Sequence, residues 1–398
     1  MQNKPVKILV ADDEPLLQSL LLQSFDTQVL NNEWQFIFVK NGLEALQKLE
    51  EDPDIGVILT DINMPQMDGL TLLNKLYNHD RLYRSVVVSA YGDMHNIRVA
   101  MNLGAADFIT KPLDLQDLEI TLNKIIMQYQ QLKQGIHDKQ QNIEITQELA
   151  IAWQIQKNFI PTKFNLFNGN QKVDFYGEMI PAKQVGGDFF DIIKLDDDRA
   201  FLIVGDVSGK GIPAALFMAM SQTLIHAVAL SSSAIEECMK QVNDILSIKN
   251  ESMMFITCFC AILDVNTGEL NYCNGGHPPP FIVSPNGDVQ KIGDEYDGIA
   301  LGINSLIRPE GRSFIFQPHK IQMKPNQTLF IYSDGVTEST NASRELYAEN
   351  NLVNFLKNNA QNTLEGMVEA LKKEITDFAK GTLQSDDITV LVVKYLES

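Results

Sequence analysis

The sequence lacks most of the features that mark secreted and zinc-binding proteins. It has four cysteines among 398 residues, and none of them forms a C-x-x-C pair or another paired spacing typical of zinc. Cys258 and Cys260 lie in the apolar run 255–263, where we expect them to be small buried side chains rather than metal ligands. This cysteine usage predicts a reduced, cytoplasmic protein.

Signals for secretion and membrane insertion are also scarce. The N-terminal residues MQNKPVKILVADDE do not have the layout of a signal peptide. No uninterrupted apolar run reaches the ~18 residues that a membrane span needs. The longest candidate, residues 214–230, is interrupted by Ser221, Gln222, Thr223 and His226, and we predict a buried helix there.

Positive charge is in short supply. The chain has 32 lysines and arginines against 51 aspartates and glutamates, which gives a formal net charge of -19. Because so acidic a surface repels nucleic acid and anionic membranes, we expect neither as a direct partner. The excess of carboxylates suits metal binding, and it suits plain solubility equally well.

The first 120 residues alternate short apolar strands with helical stretches. The predicted strands are residues 7–11, 35–39, 56–60, 85–89 and 107–110. Five such units predict an α/β domain with a doubly wound, five-stranded parallel sheet of the flavodoxin-like kind. In this fold the functional site lies at the carboxyl ends of the strands.

Residues 121–160 are polar and rich in glutamine, yet a regular seam runs through them from just before residue 121. The seam consists of Leu118, Leu122, Ile125, Tyr129, Leu132, Ile136, Lys139, Ile143, Thr146, Ala150 and Trp153. Steps of four and three, sustained over about five heptads, are typical of a coiled coil. We therefore predict a helical linker that joins two chains as a homodimer. Since Lys139 and Thr146 weaken the seam, a solvated connector helix remains the alternative.

Residues 161–398 show a different pattern, with strand-like runs that come in pairs. Two long helical stretches, 212–230 and 233–248, lie in the middle, and two more, 346–357 and 364–378, come late. Antiparallel strands grouped around paired helices predict an α/β/β/α sandwich.

Acidic side chains follow the strands of the first domain. Asp12 and Asp13 come directly after the first strand, and Asp61 follows the third. Ser89 ends the fourth strand and Lys111 follows the fifth. Since these strand ends meet at one sheet edge, three carboxylates would share a hard cation such as Mg²⁺. The lysine and the hydroxyl would bind a phosphoryl group that an aspartate receives by nucleophilic attack.

Over residues 1–120 this set closely resembles the receiver domains of two-component response regulators. The resemblance implies that Asp12, Asp13 and Asp61 bind Mg²⁺ and that Asp61 is the phosphorylated residue. It further implies that Ser89 and Lys111 contact the phosphoryl group, and that Phe108 is the aromatic residue of the conformational switch. The implied phosphodonor is a sensor histidine kinase or another phosphorylated donor.

Four acidic motifs are spread over the last 220 residues. They read GGDFFD at 186–191, GDVSGKG at 205–211, YSDG at 332–335 and SDDIT at 385–389. Each carboxylate lies at or beside the end of an apolar strand, where burying an unpaired charge costs several kcal/mol, about 2–7 by transfer estimates even for a neutral polar group. A pair of Mg²⁺ or Mn²⁺ ions would neutralise such a cluster and would generate a nucleophile from water.

These motifs resemble the metal-dependent type 2C protein phosphatases, in particular the SpoIIE and RsbU branch. The resemblance implies that Asp206 bridges two Mn²⁺ or Mg²⁺ ions and that the Val207 carbonyl is a further ligand. It assigns Asp188 to the second ion, and Asp334 and Asp386 to the first. Asp191 and Asp387 are supporting candidates. His277, in the motif NGGHPP, fits a buried turn as well as it fits a catalytic role.

Together the two resemblances predict a response regulator in which phosphorylation of Asp61 controls a serine/threonine phosphatase. The substrate implied by the resemblance is a phosphorylated anti-sigma-factor antagonist of the STAS type. A catalytically inactive phosphatase fold that binds a signalling partner is the alternative from another functional class. The motif GGDFF is superficially similar to the GGDEF motif of diguanylate cyclases, but Phe189 stands where that enzyme needs an acid.

Overall fold

The computed structural model describes residues 4–77, 81–90, 93–167, 172–248, 250–294, 299–303 and 316–396. The chain divides into two compact units, Met1–Ile145 and Thr146–Ser398. This division falls inside one long helix. The predicted domain bounds, with a receiver at 1–120, a linker at 121–160 and a phosphatase at 161–398, stay a prediction.

The first unit contains a five-stranded parallel sheet in the order β2-β1-β3-β4-β5. Its strands are β1 (Val6–Ala11), β2 (Trp34–Val39), β3 (Ile55–Asp61), β4 (Arg84–Ala90) and β5 (Asp107–Lys111). The helices between them are α1 (Pro15–Ser24), α2 (Asp26–Leu30), α3 (Gly42–Glu51), α4 (Gly69–Tyr77) and α5 (Met94–Asn102). The predicted doubly wound sheet is confirmed, with strands one or two residues longer than the sequence indicated.

The central strand β3 explains why this sheet forms. All seven of its residues are buried, and Ile55, Val57, Ile58 and Leu59 fill the core on both faces of the sheet. Such a continuous apolar run is what a parallel strand needs when helices cover both sides. The apolar run ends at Asp61, so a carboxylate stands at the carboxyl edge of the sheet.

A single helix, α6 (Leu115–Lys157), follows the sheet. The first part of the predicted heptad seam, Leu118, Leu122, Ile125 and Tyr129, is buried in the core of the first unit. From Leu132 to Ala150 the seam is exposed, and Ile136 is 57% exposed, whereas the last residue of the seam, Trp153, packs against a core of the second unit. The residues up to Tyr129 therefore pack within their own unit, so only the stretch from Leu132 to Ala150 is available to pair chains. Pairing of two chains stays a prediction.

The second unit contains two antiparallel sheets. One has the order β13-β10-β9-β8-β7 and the other β12-β11-β14-β15-β6. The strands of the first are β7 (Phe189–Lys194), β8 (Arg199–Val207), β9 (Ile256–Asp264), β10 (Glu269–Gly275) and β13 (His319–Gln322). Those of the second are β6 (Val173–Ile180), β11 (Phe281–Val283), β12 (Val289–Lys291), β14 (Thr328–Tyr332) and β15 (Ile388–Tyr395).

Helices cover the outer face of each sheet. The helices α7 (Ile212–Ala229) and α8 (Ile235–Leu246) share a core with the sheet of β7–β9. The helices α10 (Ala348–Asn359) and α11 (Leu364–Phe378) share a core with the other sheet, which the short helix α9 (Asp334–Thr337) also contacts. A third core fills the space between the sheets. The predicted α/β/β/α sandwich is confirmed.

Helix α7 is the one helix of the described residues that is long and apolar enough to cross a membrane by length and composition. On this helix Ala214, Phe217, Met218 and Ile225 are nevertheless buried in the core that α7 and α8 form with the sheet.

The four cysteines form no disulfide bonds and are buried in the core that α7 and α8 form with the sheet. Cys258 and Cys260 are therefore small buried side chains, as expected.

Candidate functional site

Three carboxylates meet at the carboxyl edge of the parallel sheet. Asp12 and Asp13 follow β1, and Asp61 is the last residue of the neighbouring strand β3. Ligand oxygens of all three side chains lie within 4.8 Å of one another. Asp61 is 7% exposed, whereas Asp13 is exposed. The arrangement is a set of hard oxygen donors of the kind that Mg²⁺ prefers.

Lys111 joins these carboxylates from the end of β5. Its ammonium donates hydrogen bonds to Asp61 Oδ2 at 2.7 Å, Asp12 Oδ2 at 3.2 Å and Glu14 Oε1 at 3.0 Å. Burial alone would lower the pKa of Lys111, but the bonds to Asp61 and Glu14 and the nearby negative charges outweigh it and raise this pKa. Lys111 therefore stays charged. Glu14 was missed from the sequence, although it directly follows the acidic pair.

Burial gives Asp12 a raised pKa, although the backbone amide of Glu14 and the charge of Lys111 act in the opposite direction. Ser89 is fully buried near the end of β4, one residue beyond Val88, which pairs with Asp61. Phe108 lies on β5 and is 37% exposed. The structure thus brings Asp12, Asp13, Asp61 and Lys111 together, with Ser89 beside them in the sheet.

A second acidic cluster lies where the strands of the sandwich end. Asp206 lies near the end of β8, Asp188 directly precedes β7, Asp334 follows β14 and Asp386 precedes β15. Asp188 is 2% exposed. Its Oδ2 atom has no well-formed hydrogen bond within the described residues, although the hydroxyls of Ser333 and Thr389 lie near the carboxylate. A buried carboxylate oxygen in this state is stabilised by binding a proton or a cation.

Burial and mutual repulsion change the acidity of these groups. The pKa of Asp188 is raised well above its usual range by burial, and further by the charges of Asp206 and Asp387. Burial, followed by the charge of Asp334, raises the pKa of Asp206 to about 7. Burial, followed by Glu338 and Asp386, raises the pKa of Asp334 to about 6. Such a cluster binds protons or cations to relieve the repulsion.

The surroundings of Asp188 and Asp206 fit divalent ions. The donors are all oxygen atoms, which suits Mg²⁺ or Mn²⁺ better than zinc. A Cβ atom placed on Gly187 would lie 3.1 Å from the Val207 carbonyl oxygen, so the glycine lets this carbonyl approach the loop that carries Asp188. The cluster is wider than the one in the first unit. Within the described ranges, Asp12, Asp13 and Asp61 alone place three such ligand atoms within 4.8 Å.

The two supporting candidates, Asp387 and Asp191, contact different groups. The carboxylate of Asp387 accepts hydrogen bonds from the backbone amides of Ala182 at 2.7 Å, Gly187 at 2.7 Å and Asp188 at 3.4 Å. It thereby holds the loop that carries Asp188. Asp191 instead lies 2.9 Å from His226 Nδ1 through its Oδ2 atom.

Asp191 is separated from the cluster because successive residues of a strand point to opposite faces. Phe189 and Ile193, on the same face of β7 as Asp191, pack in the core with α7 and α8. The structure therefore does not bring Asp191 to the other carboxylates, and its proposed supporting role at the metals is not retained. The sequence could not distinguish it from Asp387, since both lie in acidic motifs beside strand ends.

Two further polar residues hold the site together. Gln156, near the end of α6, is buried and contacts both polar backbone atoms of Gly186. Its Nε2 donates to the Gly186 carbonyl at 2.6 Å, and its Oε1 accepts from the Gly186 amide at 3.1 Å. Lys210 donates from Nζ to Asp386 Oδ2 and to the Ser385 carbonyl, both at 2.7 Å. Neither contact follows from motif spacing.

His277 has the features of a structural turn residue. It is 1% exposed, and burial lowers its pKa to about 3, so the ring is neutral at physiological pH. Its backbone amide donates to Asn274 Oδ1 at 2.8 Å, and its Nδ1 lies 3.3 Å from Thr257 Oγ1. The geometry favours the buried-turn interpretation over a catalytic role.

The metal-free protein should lose stability as the pH rises from about 4 to about 7. A carboxyl group with a raised pKa in the folded state contributes stability below its unfolded pKa, near 3.8, and loses it as the pH passes the folded pKa. For Asp206, with a folded pKa of about 7, the loss is on the order of a few kcal/mol. Asp206→Asn removes this titration.

Urea unfolding in EDTA, compared at about pH 5 and pH 7.5, measures this effect. The stability of Asp206→Asn relative to wild type should increase with pH, and saturating Mn²⁺ should reverse the order at the higher pH. An equal difference at both pH values would show that the Asp206 carboxyl does not titrate in this way.

Comparison with known proteins adds two matches. The family model of stage II sporulation protein E (SpoIIE) matches residues 196–396, which is half of the chain, and that of the response regulator receiver domain matches residues 8–123. Protein IcfG of Synechocystis sp. is 27% identical over an alignment of 273 residues, and the match covers 62% of this chain and 41% of IcfG. The chain thus spans less than half the length of that relative.

Two other comparisons cover more of the matched proteins. Phosphoserine phosphatase RsbU of Bacillus subtilis is 28% identical over an alignment of 258 residues, and the match covers 63% of this chain and 71% of RsbU. The SiaA-PP2C domain of Pseudomonas aeruginosa superimposes with a TM-score of 0.55 at 18% sequence identity, over 64% of this chain and 98% of that domain. At that identity the structural likeness shows the fold alone.

Proposed function

Because the chain belongs to the SpoIIE family through residues 196–396 and carries a response regulator receiver domain at residues 8–123, we propose that it is a response regulator with a metal-dependent phosphatase output. The reaction is hydrolysis of phosphoserine or phosphothreonine in a protein, under the control of Asp61. The observation that carries this proposal is the convergence of four carboxylates in the sandwich, of which Asp188 is buried and the others are half-buried, in the same chain as the acidic triad and Lys111.

Two divalent ions fit the sandwich site. Asp206 would hold both ions, with the Val207 carbonyl as a further ligand. Asp188 would hold one ion, and Asp334 and Asp386 the other. When bound, the ions supply charge stabilisation for the phosphoryl oxygens and a nucleophile near neutral pH. Asp387 and Gln156 hold the backbone on either side of Gly187 and so orient Asp188.

In the receiver, the Asp61 carboxylate attacks the phosphorus of a histidine kinase or another phosphodonor, and the donor's phosphoryl bond breaks. Asp12, Asp13 and Asp61 would hold the Mg²⁺ that this step requires. Lys111, which contacts Asp61 at 2.7 Å, would hold a phosphoryl oxygen, and Ser89 would donate to another. Phe108 would then adjust its position on β5.

Helix α6 would transmit the effect of Asp61 phosphorylation from the receiver to the phosphatase. Its first turns belong to the receiver core, and Gln156 near its other end holds Gly186. A bias of ~1.4 kcal/mol between two positions of the helix changes their populations tenfold. The exposed part of the seam would pair with a second chain during this change.

The substrate proposed is a phosphorylated anti-sigma-factor antagonist of the STAS type, in the cytoplasm. The support is the resemblance to the SpoIIE and RsbU branch and the name of RsbU, a phosphoserine phosphatase. The net charge of -19 supports a protein substrate rather than a nucleic acid.

The direct test is phosphate release from a phosphoserine peptide and from a phosphorylated STAS protein. Wild type should release phosphate with Mn²⁺ or Mg²⁺, stop in EDTA, and recover when excess Mn²⁺ is added. A protein that binds the phosphoprotein equally well in EDTA and never releases phosphate would be a binding platform instead, and the proposed activity would be wrong.

A further inference from the structure

Lys210 occupies an unusual position beside the phosphatase carboxylates. Its ammonium donates to Asp386 Oδ2 and to the Ser385 carbonyl, both at 2.7 Å. The charges of Asp334 and Asp387 also act on it. An oxygen of Asp386 that would serve a metal ion is therefore already bound by a cation of the chain itself.

The contact is exposed, so it is readily exchanged. The side chain of Lys210 is 46% exposed and that of Asp386 is 28% exposed. Ion pairs in such surroundings contribute little to stability. A divalent ion with two charges and several oxygen ligands competes for Asp386 far more strongly than one ammonium does.

Glycines with open space beside them flank Lys210. Gly209 and Gly211 have φ values of +91° and +79°, in the region that favours glycine. A Cβ atom added to either residue would meet no atom within 4 Å. The Cβ positions on both sides of Lys210 therefore face open space, and the Lys210 side chain itself is 46% exposed.

A phosphomonoester brings two negative charges to this site. Its oxygens need positive groups that act in addition to the metal ions, because charge stabilisation is the main way in which proteins promote phosphoryl transfer. Lys210 is a flexible point charge whose ammonium already lies among the proposed metal ligands.

We propose that Lys210 binds a phosphoryl oxygen of the substrate when the divalent ions are bound. Without metal, Lys210 binds Asp386 instead, and a divalent ion displaces it from that carboxylate. This inference depends on the proposed phosphatase function. In the metal-free protein the ammonium of Lys210 neutralises part of the negative charge that the divalent ions would otherwise neutralise. Once metal is bound, the released ammonium points to the substrate.

Mn²⁺ affinity of the full-length, substrate-free protein is the first measurement, by titration calorimetry. Lys210→Met removes the competing ammonium and should bind Mn²⁺ about fivefold more tightly than wild type. Lys210→Arg keeps a charge on Asp386 and should stay within about twofold. The matched control is Lys183→Met, since Lys183 is an exposed lysine on the loop before Asp188, and it should bind Mn²⁺ like wild type.

Inorganic phosphate is the second probe, titrated into the Mn²⁺-loaded protein. Lys210→Met should bind phosphate at least about tenfold more weakly, because it loses a charge-assisted hydrogen bond, whereas Lys210→Arg and Lys183→Met should remain close to wild type. Unchanged Mn²⁺ affinity in Lys210→Met, or unchanged phosphate affinity, overturns the proposal. An equal change in Lys183→Met overturns it as well, since the effect would then be one of net charge.

These two titrations need no turnover, so they separate the two hypotheses. A wild-type protein that binds Mn²⁺ and phosphate but hydrolyses no phosphoprotein contradicts the proposed function. An active wild type whose Lys210→Met variant behaves like wild type in both titrations contradicts only the role of Lys210. Circular dichroism of each variant verifies folding, and Lys210→Gln, which also removes the charge, repeats both titrations if Lys210→Met unfolds.

Discussion

Asp206→Asn is expected to reduce kcat/KM on a phosphoserine peptide by about 10³-fold or more, which corresponds to about 4 kcal/mol of transition-state stabilisation. Asparagine has nearly the same volume as aspartate but no charge. Asp206 lies near the end of β8 in the middle of the acidic cluster, so its loss would remove the one carboxylate proposed to serve both ions. Metal titration of the variant should show weaker binding in parallel.

Asp191→Asn is the matched control for this experiment. Asp191 belongs to the neighbouring strand β7 and is also an aspartate in an acidic motif, although it is buried whereas Asp206 is half-buried. Because it faces His226 and not the cluster, we expect kcat/KM to stay within about threefold of wild type once folding is verified. If both variants lose activity equally at unchanged stability, the assignment of the metal ligands is wrong.

Asp61→Asn is expected to abolish the response of the phosphatase to beryllofluoride, a mimic of the phosphoryl group. With wild type, beryllofluoride and Mg²⁺ should change turnover by about tenfold, the effect of a bias of ~1.4 kcal/mol between two states. The mimic attaches to the Asp61 carboxylate, next to Lys111, and asparagine does not offer that oxygen. Phosphate release measured with and without beryllofluoride gives both the size and the sign of the control.

Asp107→Asn serves as the control in the receiver. Asp107 begins β5, the strand that ends at Lys111, and its carboxylate accepts a hydrogen bond from Lys124 at 2.8 Å. This variant should respond to beryllofluoride as wild type does. A full response in Asp61→Asn would contradict the relay, whereas a response lost in both variants would indicate a disturbed receiver fold.

The receiver could be predicted from the sequence almost completely, because a parallel sheet has a simple rule. Residues that follow its strands meet at one edge, so Asp12, Asp61 and Lys111 had to lie close together. Contacts of long, flexible side chains are outside this rule. Glu14 could not be assigned to Lys111, since its position depends on how the loop after β1 turns.

The sandwich was harder to predict, because antiparallel strands run in opposite directions. Residues that follow the strands therefore lie at both edges of the sheet, and sequence order does not bring them together. The motifs identified Asp188, Asp206, Asp334 and Asp386. Neither spacing nor composition distinguished Asp387, which accepts hydrogen bonds from backbone amides, from Asp191, which faces a helix.

The heptad seam of α6 was ambiguous in a similar way. Steps of three and four describe packing against the chain's own core as well as a coiled coil, and the structure shows the former up to Tyr129.

The position of β15 has a consequence for how the phosphatase folds. This strand lies between β14 and β6 in its sheet, and Asp387 beside it holds Gly187 across 200 residues of sequence. Closing so long a loop has an entropic cost that must be met before the contact forms. During synthesis β6 therefore cannot pair with β15 until the last strand of the sheet has been synthesised. The acidic cluster is consequently assembled late, after most of the residues of the sandwich have left the ribosome.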